Sequence, residues 1–211
     1  MIKMDWMEMS LRDFQSALAS SSPTPGGGTA SAIALGQAAA LTCMVADLTI
    51  GNDKWQDGWA SAENAQSVAI KIFTEAGKLA KEDSDSFDSV MESFKLPKTT
   101  EEEIQSRRTA IRNATLKAAL VPFQTAELAY SLLSVLPKLA KKGNANAVSD
   151  VGVASLLASA AAKGALFNVD INLGSLPAEM VGDLAQKSQD LLEKSRILSK
   201  ESLKQVRDRL D

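Results

Sequence analysis

The sequence predicts an all-α protein, a bundle of long antiparallel helices built as a single domain over residues 1–211. Three observations carry this. Apolar residues recur at steps of three and four along most of the chain. No segment alternates with the period of two that a half-buried strand needs. Two long segments, Thr29 to Ile50 and Asn144 to Ala162, each hold a single charge, as helices covered on several sides do.

The elements follow in order. Ser10 precedes Leu11, Phe14 and Leu18, whose helical spacing predicts a short amphipathic helix with Ser10 as its N-cap, ending at Ser20-Ser21-Ser22. Pro23-Thr24-Pro25-Gly26-Gly27-Gly28 then opens the alanine-rich second helix. Two prolines stiffen this turn, and three residues without Cβ let backbone approach a ligand or another helix. Gly51-Asn52-Asp53 breaks the chain. A third helix follows, with Ala65, Val68, Ile72, Ala76, Leu79, Phe87, Val90 and Phe94 on one stripe.

Leu96-Pro97 stops that helix, and Thr100 with Glu103 has the spacing of a capping box for the fourth. Pro122 falls inside an otherwise helical pattern, so a kink or short break is expected there. Lys141 and Lys142 before Gly143 mark a helix C-terminus. A second apolar helix is expected over Asn144 to Ala162. Beyond Asn168 to Asn172 and the start signal Ser175-Leu176-Pro177, the last segment places Leu184, Leu191, Ile197 and Leu198 on its apolar side.

Composition narrows the chemistry. The net charge of -3 is mild and no block of one sign accumulates, which argues against a nucleic-acid partner. The lone Cys43 allows no internal disulfide and fits a reducing cytoplasm. The N-terminus lacks the pattern of a signal peptide. Ala30 to Ile50 is long enough to span a bilayer, but its Ser31, Gln37, Thr42 and Asp47 favour a helix buried in a soluble bundle, with no membrane partner. Zero histidines remove the usual general base, the usual metal ligand and every triad that needs imidazole. A di-metal bundle site would want Glu-x-x-His pairs, so no metal is expected.

Acid-base work must therefore fall to carboxylates, lysine or tyrosine. Asp83 continues the third helix's stripe between Leu79 and Phe87, where an apolar residue is expected. An inward carboxyl would be desolvated and its pKa raised toward neutrality, which suits proton transfer; the alternative is an aspartate at the stripe's edge, solvated or ion-paired. Asp47 and Asp150 are the single charges of the two apolar segments, and each needs a partner if buried. Asn144, Ser149, Asn168 and Asn172 are either pocket-lining groups or ordinary caps. Trp6, Trp55 and Trp59 either stack on a flat heterocycle or close the edge of the core.

Together, the glycine loop into an alanine-rich helix, the Asp83-to-Phe87 spacing, Leu96-Pro97-Lys98, Arg107-Arg108-Thr109-Ala110, the run from Gly143 through Asn144, Asn146 and Ser149 to Asp150, and Phe167-Asn168-Val169 with Ile171-Asn172 are familiar. From about Leu11 to the last helix the chain resembles the cyclodeaminase/cyclohydrolase family of folate one-carbon enzymes. Members occur as the C-terminal domain of formiminotransferase-cyclodeaminase and as free-standing methenyltetrahydrofolate cyclohydrolases.

The resemblance implies an all-helical homodimer acting on a tetrahydrofolate derivative, with no permanently bound cofactor. It marks Asp83 as catalytic, and Gly26, Gly27, Gly28, Asn144, Ser149, Asp150, Asn168 and Asn172 match family positions as candidates for shaping the substrate pocket; Asp150 is further expected to act as an electrostatic or orienting partner of Asp83. Arg107, Arg108, Lys141 and Lys142 either draw an anionic tail or form solvated basic faces. A chain of this length with no transferase half leans toward the cyclohydrolase. The cyclodeaminase is the alternative, followed by a non-catalytic folate-binding or dimerisation module and by a helical scaffold.

Overall fold

The structure, a computed structural model, describes residues 5–211, and no strand occurs among them. A single 3-10 turn, Trp6–Glu8, leads into α1 (Leu11–Leu18), whose N-cap Ser10 accepts a hydrogen bond from the Asp13 amide. Four long helices come next, α2 (Gly27–Asp47), α3 (Trp59–Phe94), α4 (Glu101–Lys142) and α5 (Val148–Leu173). They close a ring in chain order, α2 on α3, α3 on α4, α4 on α5 and α5 back on α2. After the short α6 (Ala178–Val181), α7 (Leu184–Leu210) lies in the groove between α4 and α5.

Local chemistry sets the ends of these helices. The Thr100 hydroxyl accepts from the Glu103 amide while the Glu103 carboxylate takes the Thr100 amide, so the capping box is complete. Gly143 closes α4 just after Lys141 and Lys142. The core runs through Leu35, Ile72, Leu132, Leu133, Leu136 and Leu139, interleaved with alanines from all four helices that let the axes approach closely.

Several expectations needed correction. α4 runs unbroken through Pro122, and through Pro137 as well. Proline cannot donate to the carbonyl four residues back, so Ala118 O loses its usual partner; the Asn172 Nδ2 supplies a donor instead at 2.9 Å, and the helix continues. Asn168 to Asn172 do not follow the second apolar helix but form its last turns. The stripe of α3 is buried only as far as the bundle reaches. Phe87 and Phe94 are exposed, because α3 and the first third of α4 project beyond α2 and α5 as an antiparallel pair. At the tip of that pair, Arg107 donates to the Phe94 carbonyl and lies over the Phe94 ring, so it acts as a cap.

On α7, Ile197 is exposed and Leu191 and Leu198 are only partly covered; the buried face is Leu184, Ser188, Ser195, Ser199, Ser202 and Val206. Serine suits the close approach of α7 to α5. Asp47 is exposed at the end of α2, where it accepts from Gln66 Nε2, so no buried charge needs explaining there. By length and composition α2, α4 and α5 could each cross a membrane, and about half of each apolar stretch is buried against other helices.

Candidate functional site

The prolines and glycines after α1 bring the chain to the start of α2, with the Thr24–Pro25 peptide bond cis. Gly27, Gly28 and Thr29 form the first turn of α2, whose amides have no partner within the helix. The Asp83 carboxyl of α3 sits on that turn. A Cβ on Gly28 would lie 2.1 Å from Asp83 Oδ1, so only glycine leaves room for the carboxyl. Thr29 Oγ1 donates to Asp83 Oδ2 at 3.0 Å.

Two influences compete over the Asp83 proton. Burial raises its pKa above the ordinary aspartate range, and the Thr29 hydroxyl and amide pull it down. Burial prevails. Among the described residues no other ionisable side chain lines the cavity into which this carboxyl faces. The inward carboxyl expected from periodicity is therefore present, and its proton is held more tightly than that of a solvated aspartate.

The cavity holds about 150 Å³. Its walls are Pro23, Thr24 and Gly26 to Gly28 on one side, Ser86 and Phe87 of α3 on another, and Ala118, Asn168 and Asn172 opposite. Ala32, Leu79, Ala80 and Val121 form an apolar floor beneath it. Asn172 uses its amide nitrogen on two carbonyls, Ala118 O at 2.9 Å and Asn168 O at 2.8 Å, which fixes the orientation of the amide. Its oxygen is then the group left for a ligand. Asn168 likewise donates to Gly164 O at 2.8 Å. The cavity thus offers acceptors beside a carboxyl and no cation, an arrangement that suits a small positively charged centre.

Sequence reasoning placed Gly26, Gly27, Gly28, Asp83, Asn168 and Asn172 at one site, and the structure brings them together. It does not bring Asn144, Ser149 and Asp150 to them. The Asn144 side chain donates to Leu48 O and its amide to Thr49 Oγ1, which ties α5's start to the far end of α2. At 1.5 Å per residue, Asp150 and Asn168 are about 27 Å apart along α5. Within one chain Asp150 is no orienting partner for Asp83. It is a half-buried acid in the first turn of α5, where a carboxylate favours the helix dipole; Ser149 is exposed, and Asn144 caps the 3-10 turn Ala145–Ala147.

The far end also takes Trp55 and Trp59. Arg209 lies over the Trp55 ring and donates to the carbonyls of Ala140 and Gly143, while Trp59 Nε1 donates to Asn52 O, so both tryptophans close an edge of the core. Lys141 and Lys142 are exposed at the same end. The residues that sequence reasoning missed are Thr29, Ser84, Ser86 and Ala118. The signal for Ala118 was available, because Pro122 leaves the carbonyl four residues before it without its helical donor.

Larger concavities exist elsewhere. One of about 530 Å³ between α5 and α7 is lined by Lys163, Arg196, Lys200, Lys204 and Arg207, and a shallow one of about 810 Å³ lies along the start of α4. Both are open helix surfaces, and neither surrounds a half-buried carboxyl as the Asp83 cavity does. Among the described residues no three histidine, cysteine or acidic side chains converge as a metal site would require.

Residues 10–190 match the model of the family described as formiminotransferase-cyclodeaminase. A methenyltetrahydrofolate cyclohydrolase from Methylorubrum extorquens is 36% identical over 166 residues, covering 79% of this chain and 80% of that one. A formimidoyltransferase-cyclodeaminase from Gallus gallus is 35% identical over 166 residues; the match takes in 79% of this chain but only 31% of that longer protein. The crystal structure of a formiminotetrahydrofolate cyclodeaminase from Thermotoga maritima superposes with a TM-score of 0.79 at 28% identity, covering 97% of this chain and 96% of that one.

Proposed function

The chain belongs to the formiminotransferase-cyclodeaminase family, and from that premise we propose that it is a folate one-carbon enzyme that hydrolyses 5,10-methenyltetrahydrofolate to 10-formyltetrahydrofolate. The observation that carries the proposal is the Asp83 carboxyl, desolvated over the first turn of α2 and alone in a cavity rich in acceptors. The likeness to the Methylorubrum cyclohydrolase over most of both chains supports this reaction ahead of the alternative.

The substrate's amidinium carbon, between N5 and N10, is already electrophilic. What remains for the protein is to hold it, to favour its charge and to move protons. Asp83 takes a proton from water as its oxygen bonds to that carbon. As the bond from carbon to N5 breaks, Asp83 returns a proton to N5, and the new hydroxyl releases its own to solvent as the formyl group forms. The Asn172 oxygen and the carboxylate stabilise the positive centre. Gly26 to Gly28, Asn168 and Asn172 shape the pocket around it. No metal and no bound cofactor take part in this scheme.

A cavity of about 150 Å³ admits the reacting end of a folate, whose whole volume needs a site several times larger. The rest of the molecule lies along the surface. The same proposal pairs the chain with a second copy. In support, α5 carries an exposed apolar row, Val153, Leu156, Phe167 and Ile171, on a helix with almost no polar face. Asn144, Ser149 and Asp150, at the other end of α5, would then serve the site of the partner copy. The reaction belongs in the cytoplasm, where reduced folates and a reduced Cys43 are compatible.

A second reading rests on the Thermotoga and vertebrate relatives, whose names describe a cyclodeaminase. There N10 closes on a formimino carbon and ammonia leaves, with Asp83 moving the proton. Absorbance separates the two. Enzyme given the methenyl substrate should speed the fall of its absorbance, whereas a cyclodeaminase should raise that absorbance from 5-formiminotetrahydrofolate and release ammonia. Asp83→Asn should lower turnover by about 10²- to 10⁴-fold, the usual worth of a positioned proton carrier. Folded wild-type protein that exceeds the uncatalysed rate with neither substrate would refute both readings.

A further inference from the structure

The hydroxyls of Thr29 and Ser84 depart from a habit of this protein. Ser31, Thr42, Ser89 and Ser93 turn back to the carbonyl four residues before them. Thr29 and Ser84, which are 0% and 4% exposed, instead bond across the α2/α3 interface at 2.9 Å. Ser84 also accepts from the Trp6 indole Nε1 at 3.0 Å, and Thr29 bonds Asp83 Oδ2 at 3.0 Å.

The direction of every bond in this series is determined from its two ends. An indole N–H can only donate, and an ionised carboxylate can only accept. Thr29 spends its single proton on Asp83, so its oxygen accepts from Ser84, whose own oxygen accepts from Trp6. All the dipoles therefore point toward the carboxylate, and each bond strengthens the next. Trp6 stands in the Trp6–Glu8 turn, before the residues 10–190 that match the family model. Its ring meets Phe14 edge-on, with centroids 6.4 Å apart, and packs beside the apolar floor of the site.

We propose that Trp6, Ser84 and Thr29 are positioning residues, a one-way hydrogen-bond chain that holds the Asp83 carboxylate in place and through which the N-terminal turn supports the site. The proposal rests on Asp83 as the proton carrier. Other charges are poor candidates for that influence. From α2, α4 and α5, Gly27, Gly28, Ala118, Asn168 and Asn172 line the carboxyl's cavity and Thr29 bonds it, and none of these carries a charge. On α3 itself Lys81 is paired with Asp85 at 2.9 Å, Glu82 is exposed, and Asp88 accepts from Thr24 at the loop.

The test reads Asp83 directly. Carbon-13 NMR of aspartate carboxyls, with Asp83→Asn to assign the resonance, follows its titration in wild type, Thr29→Val, Thr29→Ser, Ser84→Ala and Trp6→Phe. Thr29→Val should raise the midpoint, Thr29→Ser should restore it, and Ser84→Ala and Trp6→Phe should shift it less in the same direction. The low-pH limb of kcat should move with the midpoint. Loss of a hydrogen bond to a charged group predicts that Thr29→Val lowers kcat about ten- to a hundredfold with KM little changed. Unmoved midpoints in folded Ser84→Ala and Trp6→Phe would overturn the chain, whatever becomes of Thr29→Val. Midpoints that move as described in a wild type that turns over neither folate would leave the chain standing and remove the enzymatic reading.

Discussion

Asp83 is a carboxyl held against its own solvation. Its folded pKa is raised chiefly by burial, and that has a sign for stability as well as for catalysis. A group with a raised folded pKa contributes stability that is complete below its unfolded value and is lost as pH rises through the folded value. At pH 8 the half-buried carboxylate is thus a burden on the fold. Asp83→Asn keeps the shape and still accepts from Thr29 through its oxygen, without a charge to desolvate. Thermal melts should show the variant at least as stable as wild type at pH 8, with any advantage shrinking toward pH 4. A variant that is less stable by the same amount at both ends would mean that the carboxylate serves the fold and not a reaction. The same logic explains Gly28: the carboxyl occupies the space of a Cβ, so the glycine belongs to the site and not merely to the turn.

At the scale of the element, α4 shows how a helix breaker becomes part of a site. Pro122 removes the donor that Ala118 O would have had, and Asn172 of α5 supplies another, which fixes the amide whose oxygen lines the cavity. Asn172→Ala leaves the carbonyl of Ala118, a residue only 6% exposed, without a partner, at a cost of about 1–3 kcal/mol. Pro122→Ala restores a backbone donor, so in that background Asn172→Ala should cost markedly less. Urea denaturation of the two single variants and the double variant measures the difference, and strictly additive effects would show that proline and asparagine are independent. The capping box of α4 and the glycine that ends it are the opposite case, since both act within a turn of their own residues.

For the whole molecule the unresolved balance is apolar surface. Leu156, Phe167 and Ile171 of α5 are more than half exposed, and Ile70 and Phe73 of α3 are as well. A second copy covering the α5 row would give light scattering at twice 22.4 kDa. Leu156→Glu, which lies about 24 Å along α5 from Asn172, should abolish that association without entering the cavity of its own chain. A wild type that is monomeric and active would end the proposal of a dimer. An Asp83 site that fails in folded Leu156→Glu monomers would mean that the second copy completes it.

What the sequence determined by itself is what depends on neighbours within a turn or two. Ser10, Thr100 with Glu103 and Gly143 mark helix ends because caps bond backbone a few residues away, and Asp83 is recognisably inward because its face is set by a period of 3.6. Pro122 misled for the complementary reason, since its missing bond is satisfied from another helix. Asn144 and Asp150 sit in the same motif-bearing region as Asn168 and Asn172, yet an antiparallel bundle sends the two ends of α5 to opposite ends of the molecule. The tertiary structure alone decided which ends meet, and with that it decided what surrounds Asp83: Thr29 of α2 bonded to its carboxyl, Asn168 and Asn172 rather than Asn144 and Asp150 across the cavity, and Trp6 bonded to the adjacent Ser84. Those contacts join residues 54 to 89 positions apart in the chain, beyond the reach of any local pattern.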